Sequence, residues 1–422
     1  MTSEDIRDQV FTMGKQARAA AHALTTLTTE HKNDILLAMA DGIVANESTI
    51  LEANEKDLDA ADELGLTDAM KDRLRLDSDR VAAIADGIRE VAELHDPTRE
   101  IIKDWTRPNG IRLVKKRTSI GTIGIIFESR PNVTADAAAL CFKTGNATIL
   151  RGGKEAIHSN RAIAKALDEG GKKAGLPDHA IQLIPFTDRE SVQHMCEMDQ
   201  WLDLIIPRGG AGLINAVVSM ARMPVIKHYD GICHVYVDKA ADLDMAEAIT
   251  INSKCQKPSV CNALETLLIH KDVAAEFFPT IAETLSAKGV ELRGDEEFRK
   301  LADLDTVIPA SEGDWTTEYL DLTLAVKIVD DLDSAIAHIN EYGSHHTDSI
   351  VTGDEAAADK FLLEIDSACV FWNASTRFAD GGEFGFGAEI GISTDKLHAR
   401  GPMALEELCS YKYLAFGTGQ VK

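Results

Sequence analysis

The segment KCQKPSVCNALETLLIH, Lys254 to His270, places two cysteines just before an apolar stretch that is typical of a buried strand. Cys261 follows Pro258, which ends a preceding helix, so its thiol lies at the end of an element. Such a thiol is either a small core hydrophobe or a nucleophile, and the spacing leaves both interpretations open. No histidine lies beside it in sequence, so its activation would have to come from the fold or from a bound cofactor.

A second candidate site is the glycine-rich join in LIIPRGGAGLINAV, where an apolar strand ends at Pro207 and a helix begins near Leu213. Glycine lets backbone amides approach a phosphate at the positive end of a helix. The candidate cofactor-binding residues of this join are Arg208, Gly209, Gly210 and Gly212. The full dinucleotide fingerprint is missing, so a tight turn without a ligand is the alternative.

Two further polar residues follow predicted strands. Lys154, in ATILRGGKEA, could hold a ribose or its phosphate, or could be solvated at a helix start. Asn132, beside Arg130 in FESRPNVTADAAAL, lies between a strand and a helix. Its amide could cap that helix or donate to a developing oxyanion.

The loop EFGFGAEIGISTDKLHARG is rich in glycine, with Gly385, Gly387 and Gly391 among aromatic residues. Its hydroxyl groups and bases could bind an anionic substrate tail; they are those of Ser393, Thr394, Lys396 and Arg400. The alternative is an ordered connection that only needs unusual backbone angles.

Composition narrows the class of protein. The chain has 422 residues, 45% hydrophobic, which is enough for two or three domains. Its formal charge of -25 disfavours nucleic acid and anionic membranes as partners. The seven scattered cysteines indicate neither a disulfide framework nor a metal site. The acidic N-terminus does not resemble a signal peptide, and no apolar run approaches the roughly 20 residues of a membrane span, so we expect a cytoplasmic protein.

The elements that must position these residues follow from periodicity. The first hundred residues predict helices, with KNDILLAMADGIVAN and DRVAAIADGIREVAEL burying one face each. From Gly110 onward strands and helices alternate, including the predicted strands IQLIPF, LDLIIP, MPVIKHY and CHVYVD. A second series of alternating strands and helices starts at ALETLLIH. The pattern predicts an α/β fold with a doubly wound parallel sheet and a second α/β domain.

Taken together, the motifs resemble the glutamate-5-semialdehyde dehydrogenases, or γ-glutamyl phosphate reductases, a family of the aldehyde dehydrogenase superfamily. The resemblance is carried by GTIGIIFESRPNVTADAAALCFKTGNATILRGGKEA, IIPRGGAGLI, QKPSVCNALETLLIH, VDDLDSAIAHINEYGSHHTDSI and NASTRFADGGEFGFGAEIGISTDKLHARGP. It extends from about residue 10 to the end of the chain. It implies an aldehyde dehydrogenase-like fold and NADPH-dependent reduction of L-glutamyl 5-phosphate, with functional coupling to glutamate 5-kinase.

The resemblance also implies roles for single residues. Cys261 matches the nucleophile, and Asn132 the asparagine that polarises the acyl oxygen. The cofactor would be held by Lys154 at the adenosine ribose, by the glycine-rich join at the phosphates and by Glu318 at the nicotinamide ribose. The proposed substrate-binding residues are Arg130, Lys257, Ser393 and Thr394.

The family's chemistry needs no water-activating base, and the segment HYDGICHVYVD offers only Asp230 near the position of the superfamily's usual glutamate. The rival functions are a hydrolytic NAD(P)-dependent semialdehyde dehydrogenase and a non-catalytic nucleotide-binding homologue. We expect a cofactor domain over residues 1–232, a catalytic domain over 233–367 and an active-site loop with an oligomerisation segment over 368–422. The hairpin-like segment 108–120 and SYKYLAFGTGQVK would pair subunits into a homodimer or homotetramer.

Overall fold

The structure is a computed structural model that describes residues 2–227, 230–302 and 307–422. Its packing divides the chain into two compact units. Unit 1 comprises Met1–Lys227, Phe386–Gly391 and Met403–Lys422, and unit 2 comprises His228–Gly385 and Ile392–Pro402. The functional labels expected for residues 1–232, 233–367 and 368–422 stay a prediction.

Unit 1 begins with helices whose starts, except that of α3, are capped by side chains. They are α1 (Ser3–Leu24), α2 (Thr29–Ala45), α3 (Glu47–Asp59), α4 (Asp68–Leu74) and α5 (Ser78–Glu93). The Thr28 hydroxyl accepts from the His31 amide at the start of α2, and the Asp77 carboxylate accepts from the Arg80 amide at the start of α5. The apolar faces predicted for α2 and α5 are buried, which confirms both helices.

The rest of unit 1 alternates strands and helices. The elements are β1 (Ile101–Thr106), β2 (Arg112–Ser119), β3 (Thr122–Phe127), α6 (Val133–Lys143), β4 (Ala147–Arg151), α7 (Ile157–Lys173), β5 (Ile181–Leu183), α8 (Glu190–Cys196), β6 (Leu204–Arg208) and α9 (Ala211–Met220). A parallel sheet has the order β5-β4-β3-β6. The chain winds outward from β3 to β5 and returns to β6 on the other side of β3, which confirms the doubly wound fold. Ligands of such sheets bind beyond the carboxyl ends of the strands at this reversal.

The prediction of a strand in MPVIKHY is wrong. Val225 forms only an isolated bridge with Ile205. Pro224 has no amide to donate to a ladder, which disfavours a regular strand there. His228 and Tyr229, at the end of that prediction, lie outside the described residues.

Unit 2 is built around a second parallel sheet. Its elements are β7 (Cys233–Val237), α10 (Leu243–Cys255), β8 (Leu264–His270), α11 (Lys271–Ala287), β9 (Glu291–Gly294), α12 (Glu296–Ala302), β10 (Ile308–Pro309), β11 (Thr323–Val329), α13 (Leu332–Tyr342), β12 (Thr347–Val351), α14 (Glu355–Glu364) and β13 (Cys369–Trp372). The strand order is β10-β9-β11-β8-β7-β12-β13. β7, β8 and β12 are buried along their whole length, as expected of a sheet covered by helices on both faces. The predicted second alternation is therefore confirmed.

The C-terminal strands are β14 (Gly391–Ser393), β15 (Gly401–Met403) and β16 (Cys409–Phe416). β16 pairs antiparallel with β2 in unit 1, from Cys409 opposite Ser119 to Phe416 opposite Arg112. β2 also pairs with β1, so the sheet order is β1-β2-β16. The segment 108–120 thus supplies the turn and one arm of a hairpin, whose other arm is β1.

Candidate functional site

Cys261 lies in the turn between α10 and β8, at the amino edge of the unit 2 sheet, and is half-buried. The residue after it is tied to the segment that follows β13. The Asn262 side-chain amide donates to the Ala379 carbonyl at 2.9 Å, and the Thr376 hydroxyl donates to the Asn262 carbonyl at 2.7 Å. The backbone beside Cys261 is therefore fixed by buried bonds, while Cys261 itself is only half-buried.

The start of β7 packs against the backbone of Cys261. A Cβ at Gly231 would lie 1.9 Å from the Cys261 carbonyl oxygen, so only glycine fits at this position. The Cys233 thiol donates to the same oxygen at 3.2 Å. Burial raises the pKa of Cys233 well above its usual value, which keeps it a protonated donor.

Glu318 reaches the same place from the loop before β11. The Gly231 amide donates to its carboxylate oxygen Oε1 at 2.9 Å. The pKa of Glu318 is raised, mainly by burial and also by the nearby Asp230 carboxylate. The hydrogen bond from Gly231 and the charge of Lys254 oppose this rise. Gly231 therefore contacts both Cys261 and Glu318, so the structure brings together two residues that the sequence placed in the site.

A buried ion pair lies beside this site and was not foreseen. The Lys254 ammonium is 2.7 Å from Oε2 of Glu265, and both side chains are 0% exposed. Burial lowers the pKa of Lys254 and raises that of Glu265 to about 7, with each partner opposing the effect on the other. The signal in the sequence was a carboxylate inside the apolar strand ALETLLIH, since a buried acid requires a partner.

In unit 1, the glycine-rich join lies beyond the carboxyl end of β6, at the reversal of the sheet. The strand continues to Arg208 and the helix begins at Ala211, slightly earlier than Leu213. The Gly210 amide donates to Oε2 of Glu128 at 3.0 Å, and a Cβ at Gly209 would lie 2.3 Å from the same oxygen. The N-cap residue of α9 is Gly210, so no side chain caps the helix, and the space beside Gly210 and Gly212 is open.

The uncapped start of this helix and the open space beside Gly210 and Gly212 fit the phosphates of a dinucleotide. The Gly210 amide is bonded to the carboxylate of Glu128, which a phosphate at that amide would displace. Glu128 itself was not foreseen, because its contact with Gly210 joins residues that are far apart in the sequence.

Asn132 does not cap α6, so the capping alternative is wrong. Its side-chain amide donates to Oδ2 of Asp136 at 2.8 Å, one turn further along the helix. Burial raises the pKa of Asp136 to about 6, against the opposing effects of Asn132 and Arg208. The role of Asn132 toward an oxyanion stays a prediction.

The other predicted residues are placed separately in the two units. Lys154, exposed, opens a 3₁₀ turn after β4, and Arg130 is exposed before α6 in unit 1. In unit 2, Lys257 is exposed near Cys261, Ser393 is buried and Thr394 is half-buried. Their roles in substrate binding stay predictions.

The glycine-rich C-terminal loop has the backbone angles that its sequence predicted. Gly385, Gly387 and Gly391 all have positive φ values, of 79°, 78° and 153°. The two bases of the loop, Lys396 and Arg400, both form ion pairs with the Asp366 carboxylate. The two bases are therefore engaged by Asp366, and the role of the loop in substrate binding stays a prediction.

Two kinds of feature are missing from the ranges 2–227, 230–302 and 307–422. Within them, no helix combines the length and the apolar character that crossing a membrane requires. The same ranges contain no group of three or more His, Cys, Asp or Glu side chains placed to hold a metal ion.

Comparison with known proteins adds a family context. Residues 2–323 match the model of the aldehyde dehydrogenase family. The γ-glutamyl phosphate reductase of Geobacter metallireducens is 54% identical over 99% of each chain, and that of Moorella thermoacetica is 53% identical over 98% of this chain and 99% of its own. The crystal structure of the γ-glutamyl phosphate reductase of Thermotoga maritima superimposes with a TM-score of 0.96 at 45% identity, covering 98% of this chain and 99% of that one.

Proposed function

Since the chain belongs to the aldehyde dehydrogenase family and, within it, to the γ-glutamyl phosphate reductases, we propose that it reduces L-glutamyl 5-phosphate to L-glutamate 5-semialdehyde and phosphate. This is the second step of proline biosynthesis from glutamate. The observation that carries the proposal is likeness over the whole chain to reductases of that name. The half-buried thiol of Cys261, on a loop fixed by buried bonds, supplies the nucleophile that the reaction requires.

The reaction proceeds through Cys261. Its thiolate attacks the acyl carbon, the carbon–oxygen bond to phosphate breaks, and phosphate leaves with that electron pair. A nicotinamide cofactor, when bound, would supply the hydride that reduces the resulting thioester. The carbon–sulfur bond then breaks, which releases the aldehyde and regenerates the thiolate. Asn132 stabilises the acyl oxygen, and no base that activates water is required.

The cofactor is NADPH in this proposal. The amides at the start of α9, with Arg208, Gly209, Gly210 and Gly212, would hold its phosphates, and the open space beside Gly210 and Gly212 supports this assignment. Lys154 would hold the adenosine ribose and Glu318 the nicotinamide ribose. The preference for NADPH over NADH is supported by the family resemblance and is tested by comparing both cofactors.

Substrate binding and assembly complete the proposal. The exposed cations Arg130 and Lys257 are candidates for the substrate phosphate, and the hydroxyl groups of Ser393 and Thr394 for its tail. The sheet β1-β2-β16 would pair subunits into a homodimer or homotetramer, since it exposes large apolar side chains at both edges. Functional coupling to glutamate 5-kinase and a cytoplasmic location stay predictions.

The test runs the reaction in reverse with purified protein, glutamate 5-semialdehyde and NADP, with and without inorganic phosphate. We expect NADPH to form only with phosphate and only with the native Cys261, so Cys261→Ala should abolish it. Activity without phosphate would instead indicate that water resolves the thioester, which is the hydrolytic function. A folded protein that is inactive in both buffers would contradict any catalytic assignment.

A further inference from the structure

We propose that the buried ion pair of Lys254 and Glu265 positions the turn that carries Glu318, and thereby sets the affinity for the nicotinamide cofactor without acting on the Cys261 thiol. The proposal rests on the proposed function, because it uses Glu318 as a ligand of the cofactor ribose. Lys254 lies in the last turn of α10 and Glu265 near the start of β8, so both are anchored in regular elements.

The pair is an expensive feature that stability alone does not explain. Both side chains are 0% exposed, with 2.7 Å between the Lys254 ammonium and Oε2 of Glu265. Removing two charges from water costs free energy that their attraction only partly returns, and apolar side chains of similar size often replace such pairs without loss. A positioning role gives the pair a reason to be there.

The second oxygen of Glu265 reaches the turn itself. Oε1 accepts a hydrogen bond from the Leu320 amide at 3.2 Å. Leu320 has a φ of +54°, a left-handed conformation that disfavours a residue with a side chain. This conformation persists only where the surroundings hold it, and the bond to Glu265 holds it two residues from Glu318.

The neighbouring residues of the turn are held by other groups. The Tyr319 hydroxyl donates to Oδ1 of Asp314 at 2.7 Å, and its ring lies 5.9 Å from the Lys254 ammonium. Glu318 accepts from the Gly231 amide at 2.9 Å. Glu265 contacts the turn through the Leu320 amide, whereas Gly231 contacts both Glu318 and the backbone of Cys261. The reactivity of the Cys261 thiol therefore has to be measured separately from cofactor binding.

The test uses the full chain with Lys254→Met/Glu265→Met, which replaces both charges and removes the acceptor of the Leu320 amide. We expect faster hydrogen–deuterium exchange in the segment around Leu320, and NADPH binding to the free protein weaker by about tenfold, as for the loss of one hydrogen bond to a charged group. Alkylation of Cys261 by iodoacetamide without cofactor should keep its rate. The matched variant Lys254→Met/Glu265→Gln retains an acceptor for Leu320 and should restore slow exchange and most of the affinity.

Unchanged exchange around Leu320 in the first variant would overturn the proposal. So would a fall in Cys261 alkylation parallel to the fall in affinity, since the pair would then act on the nucleophile. If the doubly apolar variant does not fold, Lys254→Met/Glu265→Gln is compared with Lys254→Gln/Glu265→Met by the same readouts, since neither leaves a buried charge unpaired, and equal exchange in these two also overturns it. A native protein that binds no nicotinamide cofactor would refute the proposed function, while the exchange result would still decide the positioning role.

Discussion

Gly231 is the residue at which the Cys261 loop and the Glu318 turn of unit 2 meet. Its amide donates to Glu318, and its missing side chain leaves room for the Cys261 carbonyl. The sequence predicted Cys261 and Glu318 through their motifs, but not this link. Gly231 lies far from both in the sequence, and a glycine before a strand is typical of many turns that carry no function.

We expect Gly231→Ala to damage catalysis. The added Cβ would overlap the Cys261 carbonyl, so the loop must move, and a shift of about 1 Å at a reacting group lowers kcat/KM by about 100-fold. Steady-state kinetics and the alkylation rate of Cys261 measure this effect. The matched control is Gly87→Ala in α5, where nothing lies near the added Cβ; it should keep full activity. Native kinetics in Gly231→Ala would show that the close approach is unimportant.

At the scale of elements, the strands of unit 2 were predicted by their apolar runs, but their order was not. β11 lies between β8 and β9, which precede it in the chain, because side-chain patterns do not specify which strands are neighbours. As a result Cys233, Cys261 and Glu318 meet at the amino edge of the sheet. Periodicity alone could not predict that edge.

The packing of α13 against β11 makes stability depend on pH. His338 is 4% exposed, and its Nδ1 lies 3.1 Å from the Lys327 ammonium, which can only donate. Burial lowers the pKa of His338 from 6.5 to about 3, with His234 and Lys327 adding to the shift. The folded state therefore resists a proton that the unfolded chain accepts. The contribution of neutral His338 to the free energy of unfolding is complete above pH 6.5 and is lost progressively as the pH falls toward 3.

We expect His338→Phe to flatten this dependence. Between pH 7 and pH 5, the native protein should lose about 2 kcal/mol of unfolding free energy that the variant retains. Urea unfolding at both values measures the difference. His22→Gln, which changes an exposed histidine, should keep the native slope. Equal slopes in His338→Phe and the native protein would contradict the assignment.

At the scale of the whole molecule, the sheet β1-β2-β16 exposes one aromatic face. Tyr413 contacts both Trp105 and Tyr411 edge to face, and the Lys115 ammonium lies 3.6 Å from the centre of the Tyr411 ring. Tyr411 and Tyr413 are 49% and 59% exposed. Such a face on a sheet with open edges favours pairing with a second copy.

We expect Tyr411→Asp/Tyr413→Asp to lower the mass of the native oligomer, because it places charges in the proposed subunit interface. Light scattering after gel filtration measures the mass, and circular dichroism checks the fold. Leu363→Asp, at an apolar residue of α14 that is 84% exposed, should leave the mass unchanged. A native protein that is monomeric, or a double variant of native mass, would refute this interface.

The sequence predicts only some of the segments that form unit 1. The patterns of residues 1–227 predicted its helices and its doubly wound sheet, since these depend on local periodicity. Local periodicity could not predict that residues 386–391 and 403–422 also pack in unit 1. It depends on pairings such as that of β2 with β16, which join distant parts of the chain.

The pairing of β2 with β16 also has a consequence for the order of synthesis. The ribosome makes Arg112–Ser119 early and Cys409–Phe416 late, with the entire sheet of unit 2 encoded between them. The nascent chain therefore carries β2 with one open edge while unit 2 is completed, although an open edge is a template for wrong pairing. A ribosome that stalls before Cys409 would release a chain with an intact unit 2 sheet and an edge prone to aggregation.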